Sequence, residues 1–161
     1  MLFPHSKSLS DAKDLVLLVV GLAGGHLTTE TKLQKIAFLL NREVFDGRVR
    51  FEPTMFGMYS KDVAKAVVVL EKEGLLTQRD EDGTTHYYLT RKGEEAFKRV
   101  ASSLGDDKLT RAEKVVSEFK DAPLDYVLAY MFVKYPEYFN DPEKEWFFER
   151  LARKYGMLLD A

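Results

Sequence analysis

Tyr87-Tyr88-Leu89-Thr90-Arg91-Lys92-Gly93 is the stretch whose reading decides the fold. His86 to Leu89 has the composition of a short strand, and Thr90 is a good N-cap for a helix whose core face is Phe97, Val100, Ala101 and Leu104. A strand therefore runs straight into a capped helix. Just upstream, Leu75 to Arg79 reads as a partner strand, with Asp80-Glu81-Asp82-Gly83 as a polar turn that offers a glycine for positive φ. Together these residues predict a hairpin.

Toward the N-terminus, Leu15, Leu18, Val19 and Leu22 repeat at helical spacing and predict a helix from about Asp11 to Gly24-Gly25. Leu33, Ile36, Ala37 and Leu40 predict a second helix from Thr29 to Glu43. Phe38 and Leu39 lie off its stripe, so another element should cover its back. Val49-Arg50-Phe51 reads as a short strand ended by Pro53. Ser60 then caps a third helix with Val63, Ala66, Val67 and Leu70 inward and Gly74 at its end. Toward the C-terminus, Ser102 to Lys108 reads as a linker, and Thr110 with Glu113 as the capping box of a further helix. Pro123 starts another helix that ends before Pro136, and Asp141-Pro142-Glu143 starts the last, closed by Gly156.

This order predicts a mainly α protein with a small β-hairpin: a winged helix-turn-helix domain over residues 1–104, with a C-terminal helical extension over 105–161 packed on it. The 161 residues, 45% hydrophobic and 31% charged, suit that size. The chain has no cysteine, which excludes disulfides, thiolate metal sites and cysteine nucleophiles and fits a reducing, cytoplasmic setting. Leu15 to Val20, the longest apolar run, is far too short for a membrane span. Glu and Lys are plentiful while Asn and Gln are scarce, a thermophile-weighted composition.

Nothing in the sequence points to catalysis. His5, His26 and His86 fall on a tail, a helix connection and a hairpin strand without metal-ligand spacing. Gly21, Gly24 and Gly25 close a helix instead of cradling a phosphate. No nucleophile elbow, HExxH pattern or P-loop occurs, so neither a catalytic residue nor a metal nor a cofactor is expected.

Thr31-Lys32-Leu33-Gln34-Lys35-Ile36-Ala37-Phe38-Leu39-Leu40 resembles the "TKLQKLLYL" signature of the YwgA-like and SocA-like (Panacea) winged-helix proteins. Phe51 with Phe56-Gly57-Met58-Tyr59-Ser60-Lys61-Asp62-Val63 is similar to that family's "F…YGPYSxDL" segment, and Leu70 with Gly74-Leu75-Leu76 to its "L…GLI" ending. Leu124-Asp125-Tyr126-Val127 and Lys134-Tyr135-Pro136-Glu137-Tyr138 resemble its "LxYVYxKYPEYT". Met58 stands where the family has proline, and Phe139 where it has a small residue. The resemblance implies a broad range of roles, among them antitoxin-like proteins and adaptors acting through protein contacts, and neither a cofactor nor an active site.

On the third helix, Lys61, Lys65 and Lys72 fall within about 40° of one another opposite the core stripe, and Val68 shares their face. A lysine stripe of this kind suits phosphates, and a valine suits a thymine methyl or a partner protein. Lys32 and Lys35 on the second helix and Arg91 and Lys92 on the fourth are further candidate phosphate contacts. Against DNA stand the missing Arg, Asn and Gln on the third helix and the acidic tip Asp80-Glu81-Asp82. By region the charge sums to +1 over residues 1–60, zero over 61–101 and −3 over 102–161, so bulk electrostatics supplies no attraction. Two expectations follow: a DNA-binding transcription regulator on double-stranded DNA, or an adaptor or antitoxin-like module binding a protein. Trp146, Phe147 and Phe148 are consecutive and cannot all face inward, so one of them is expected at a homodimer interface.

Overall fold

Apolar residues at helical spacing build seven α-helices among the described residues, 4–54 and 57–158 of the computed structural model. Phe56, part of the family-like segment, and the side chain of His5 lie outside the described residues. The order is α1 (Pro4–Leu22), β1 (His26–Thr28), α2 (Glu30–Val44), β2 (Glu52–Thr54), β3 (Gly57–Tyr59), α3 (Lys61–Lys72), β4 (Leu76–Glu81), β5 (Thr84–Leu89), α4 (Arg91–Leu104), α5 (Asp106–Phe119), α6 (Leu124–Lys134) and α7 (Glu145–Lys154).

The hairpin forms with a tighter turn than its polar run suggests. Glu81 pairs with Thr84, leaving only Asp82 (φ 52°) and Gly83 (φ 75°) in the loop. Positive φ at both central residues matches the right-handed twist of the flanking strands, which is why an Asp-Gly pair sits there. β1 adds a third strand on the far side of β5, giving the antiparallel order β1-β5-β4. The strand-to-helix joint is bonded twice: the Thr90 hydroxyl accepts from the Gly93 amide at 3.0 Å and donates to the Gly74 carbonyl at 2.6 Å. A Cβ on Gly93 would overlap the Leu75 carbonyl, so this close crossing requires glycine.

Several boundaries differ from the sequence expectation. α1 begins at Pro4 instead of Asp11, because Pro is favoured in a first turn and Ser8, inside the helix, bonds Asp62 of α3 at 2.7 Å. Residues 49–51 form no strand: the Asn41 amide already takes both the Val49 carbonyl (2.8 Å) and the Val49 amide (3.0 Å). The strand is Glu52–Thr54, through Pro53, paired with β3 in a separate two-stranded sheet. The expected linker contracts to Gly105 (φ 85°), and α5 starts at Asp106 with two acids in its first turn, where the helix dipole favours them. Thr110 consequently lies inside α5 and caps nothing. Asp141 does not start the last helix; its carboxylate accepts from the Glu143 amide at 3.0 Å in a local turn, and α7 begins at Glu145.

One hydrophobic core runs through α1 to α7. α1 is buried from Leu15 to Val20, with α2, α3, α4 and α5 packed round it. The back of α2 is covered as its extra apolar residues require: Phe38 meets Phe51, Tyr135 and Tyr138 edge to face at 5.2–5.6 Å. Glu43 of α2 accepts from Lys134 and, at 3.0 Å, from the Tyr135 hydroxyl. The C-terminal helices are thus held to the N-terminal part by packing and by a charged bond.

Candidate nucleic-acid interface

α3 is positioned by α2. The Gln34 amide donates to the Ser60 carbonyl at 3.0 Å and accepts from the Ser60 amide at 2.8 Å, and the Ser60 hydroxyl caps the Val63 amide at 3.1 Å. Gln34 and Ser60 are both buried, so these bonds leave no polar group stranded at the helix start. Val63, Ala66, Val67 and Leu70 then face inward. Lys61, Lys65 and Lys72 are exposed on the opposite side, and Val68, 46% exposed, lies among them.

The acids near these lysines are engaged elsewhere. Asp62 accepts from Ser8 at 2.7 Å, Glu71 accepts from the Gln78 amide at 3.1 Å, and Glu73 pairs with Lys13 at 2.7 Å. Among the described residues no carboxylate pairs with Lys61, Lys65 or Lys72. The face therefore presents three ammonium groups that are in no ion pair among the described residues, unlike a surface helix with interleaved pairs. Arg91 and Lys92 are exposed at the start of α4; Lys92 donates to the Glu73 carbonyl at 3.2 Å, which sets it beside the end of α3.

Lys32 and Lys35 do not belong to this surface. Lys32 donates to the Lys120 carbonyl at 2.8 Å, satisfying a carbonyl at the C-terminus of α5. Lys35 is 3% exposed and donates to the Met58 carbonyl at 3.0 Å; burial pushes its ammonium down to about 8. Both ammonium groups are engaged by backbone carbonyls, because neighbouring elements pack over this side of α2. Of the three consecutive aromatics, Phe148 is buried against Phe132 and Phe139, at 5.6 and 4.8 Å between ring centres. That removes Phe148 from the candidate dimer contacts; Trp146 (62% exposed) and Phe147 (43%) face out.

Two arrangements were invisible in the sequence because they join distant elements. His26 Nε2 lies 2.8 Å from His86 Nδ1 across β1 and β5, with the His26 ring stacked on Tyr88 at 4.5 Å. No group of three or more His, Asp or Glu that could hold a metal occurs among the described residues. The second is a cleft of about 240 Å³ between α2, α3 and the β4–β5 hairpin, lined by residues including Glu30, Gln78, Tyr87, Val67 and Val68. Tyr87 is 3% exposed; burial first, then the charge of Glu30, pushes its phenol up to about 12, so it stays protonated at neutral pH.

Compared with known families the chain matches no family model, and no curated protein matches it. No helix among the described residues is long and apolar enough to cross a membrane.

Proposed function

We propose that the chain is a non-enzymatic winged-helix regulator, of the YwgA-like and SocA-like kind its motifs resemble, that docks α3 on double-stranded DNA. The observation carrying this reading is the exposed face of α3, where Lys61, Lys65 and Lys72 form no ion pair among the described residues while the neighbouring carboxylates bond Ser8, Gln78 and Lys13. The order α1-β1-α2-β2-β3-α3-β4-β5, with β1 beside β5, supports the fold part of the reading. The α2–α3 connection spans residues 45–60 and carries its own small sheet, so Gln34 and Ser60 take over the task a short turn performs elsewhere.

Counterion release supplies the test. Binding to random duplex should weaken steeply with salt, and Lys61→Ala with Lys65→Ala should flatten the log–log slope by about two units. An unchanged slope would remove the DNA reading. The adaptor reading draws on a different observation, the exposed acids of the hairpin tip at Asp80, Glu81 and Asp82, which phosphates would repel. Under it, wild type shows no duplex binding at low salt, and a protein partner is lost with Val68→Glu.

The exposed Trp146 and Phe147 support a homodimer in either case. Light scattering at micromolar concentration should give a dimer mass that falls to monomer in Trp146→Ala or Phe147→Ala. A wild-type mass that stays monomeric at high concentration would dismiss the dimer.

A further inference from the structure

The cleft between α2, α3 and the hairpin has an apolar wall, formed by Leu33, Val63 and Val67, all nearly fully buried, with Val68 at the rim. Opposite it the polar groups are mostly acceptors. Glu30 is the one charged residue among the described lining residues. One of its carboxylate oxygens accepts a long bond from Tyr59, at 3.4 Å, and the other has no protein partner among the described residues. The Gln78 backbone amide and one of its two side-chain N–H groups donate to Glu71, at 3.1 and 3.4 Å, while its side-chain carbonyl oxygen bonds no described protein group. Tyr87 is 97% buried in its packing, being only 3% exposed, yet its hydroxyl bonds no described protein group. Because no polar side-chain atom sealed from solvent lacks a partner, that hydroxyl opens on the cleft. Gln34, the remaining polar lining group, is fully used by Ser60.

Acceptors on three residues that line one cleft with an aliphatic wall, together with one net negative charge, suit a cationic donor that carries an apolar stem. An alkylammonium donates three hydrogen bonds, accepts none and trails methylenes that need apolar cover. A carboxylate would meet Glu30 with like charge, and an alcohol would leave acceptors unfilled. We infer that this cleft is a binding site for a primary alkylammonium group, its nitrogen held by Glu30, the Gln78 carbonyl and the Tyr87 hydroxyl and its stem lying on Val63 and Val67. Val68 borders both this cleft and the lysine face of α3, so the experiment below separates the two.

A protein-observed NMR titration tests it, with n-pentylammonium as probe, 1-pentanol and pentanoate as controls at constant ionic strength, and the peptide Ac-Gly-Lys-Gly-NH2 as a second cation. Saturable shifts of the Val67 and Val68 methyls with pentylammonium are expected, and no saturable shifts with pentanoate. Glu30→Gln, at an exposed position, should weaken binding about tenfold, and Tyr87→Phe, which deletes only the hydroxyl, about fivefold or more. Lys61→Ala with Lys65→Ala should leave amine binding unchanged, which separates this site from the DNA face. Tighter binding of the peptide than of pentylammonium identifies a partner protein's lysine as the occupant, and the reverse a free amine; both support the site. Pentanol binding as tightly as pentylammonium, an unaffected Glu30→Gln variant, or no binding of either cation would overturn it.

Discussion

α2 and α3 both carry lysines at helical spacing, and the two pairs meet opposite fates. Lys61 and Lys65 stand free in solvent, whereas Lys32 and Lys35 are spent on backbone carbonyls. The difference lies in how much of each helix is covered. α3 packs on α1 and β4 through one stripe and leaves its other side open, while α2 is enclosed by α1, α5, α6 and β3. A cation on an enclosed helix must bond inward or destabilise the fold; on an open helix it is available to a partner.

The contrast can be broken most severely on α3 itself. Val67→Asp places an unpaired carboxylate in the core and should cost more than about 4 kcal/mol, enough to unfold the chain, while Val68→Asp one residue on should stay within about 0.5 kcal/mol. Thermal melting of the two variants reads the boundary between the covered and the open face.

A smaller effect is expected at Lys35. Its folded ammonium titrates at about 8, against 10.5 in an ordinary lysine, so between those values the unfolded chain holds more protons and stability rises with pH. The gain should reach roughly 2 to 3 kcal/mol by pH 10. Above that, Tyr87 and Tyr135, both pushed up to about 12, work in the opposite direction, since the folded chain keeps protons that the unfolded chain loses. Urea melts between pH 7.5 and 10 should show the rise in wild type and lose it in Lys35→Met; a rise that persists in the variant would assign it to another group.

Gln34→Ala should cost about 2 kcal/mol, because two buried backbone groups of Ser60 lose their partner at the start of α3. The smallest change sharpens the comparison from the other side. Lys61→Ala with Lys65→Ala, on the open face, should move stability by no more than about 0.5 kcal/mol while still changing the salt slope of DNA binding. A loss of stability as large as that of Gln34→Ala would mean that the stripe is structural.

The helices were legible wherever apolar residues repeat at their own period and a capping residue precedes them: the stripe of α3 and its Ser60 cap, the core of α2, and the Thr90 joint all read directly. Starts and stops were less so. Asn41 supplies through its side chain the bonds a strand partner would have given Val49, and nothing local in residues 49–51 announces that. β1 escaped for a related reason, since His26–Thr28 is a strand only because β5 lies alongside.

By itself the sequence determined which residues are apolar, how they are spaced and where chain direction can change, and these set the helices, the Asp82-Gly83 turn and the inward face of α3. Only the tertiary structure decided which polar residues remain available. Lys35 and Lys65 are the same residue type on amphipathic helices, and their chemistry diverges because neighbouring elements close over one and not the other. The cleft that gathers Glu30, Gln78 and Tyr87 comes from three separate elements, so its acceptors meet only once those elements pack, and no local spacing encodes that encounter.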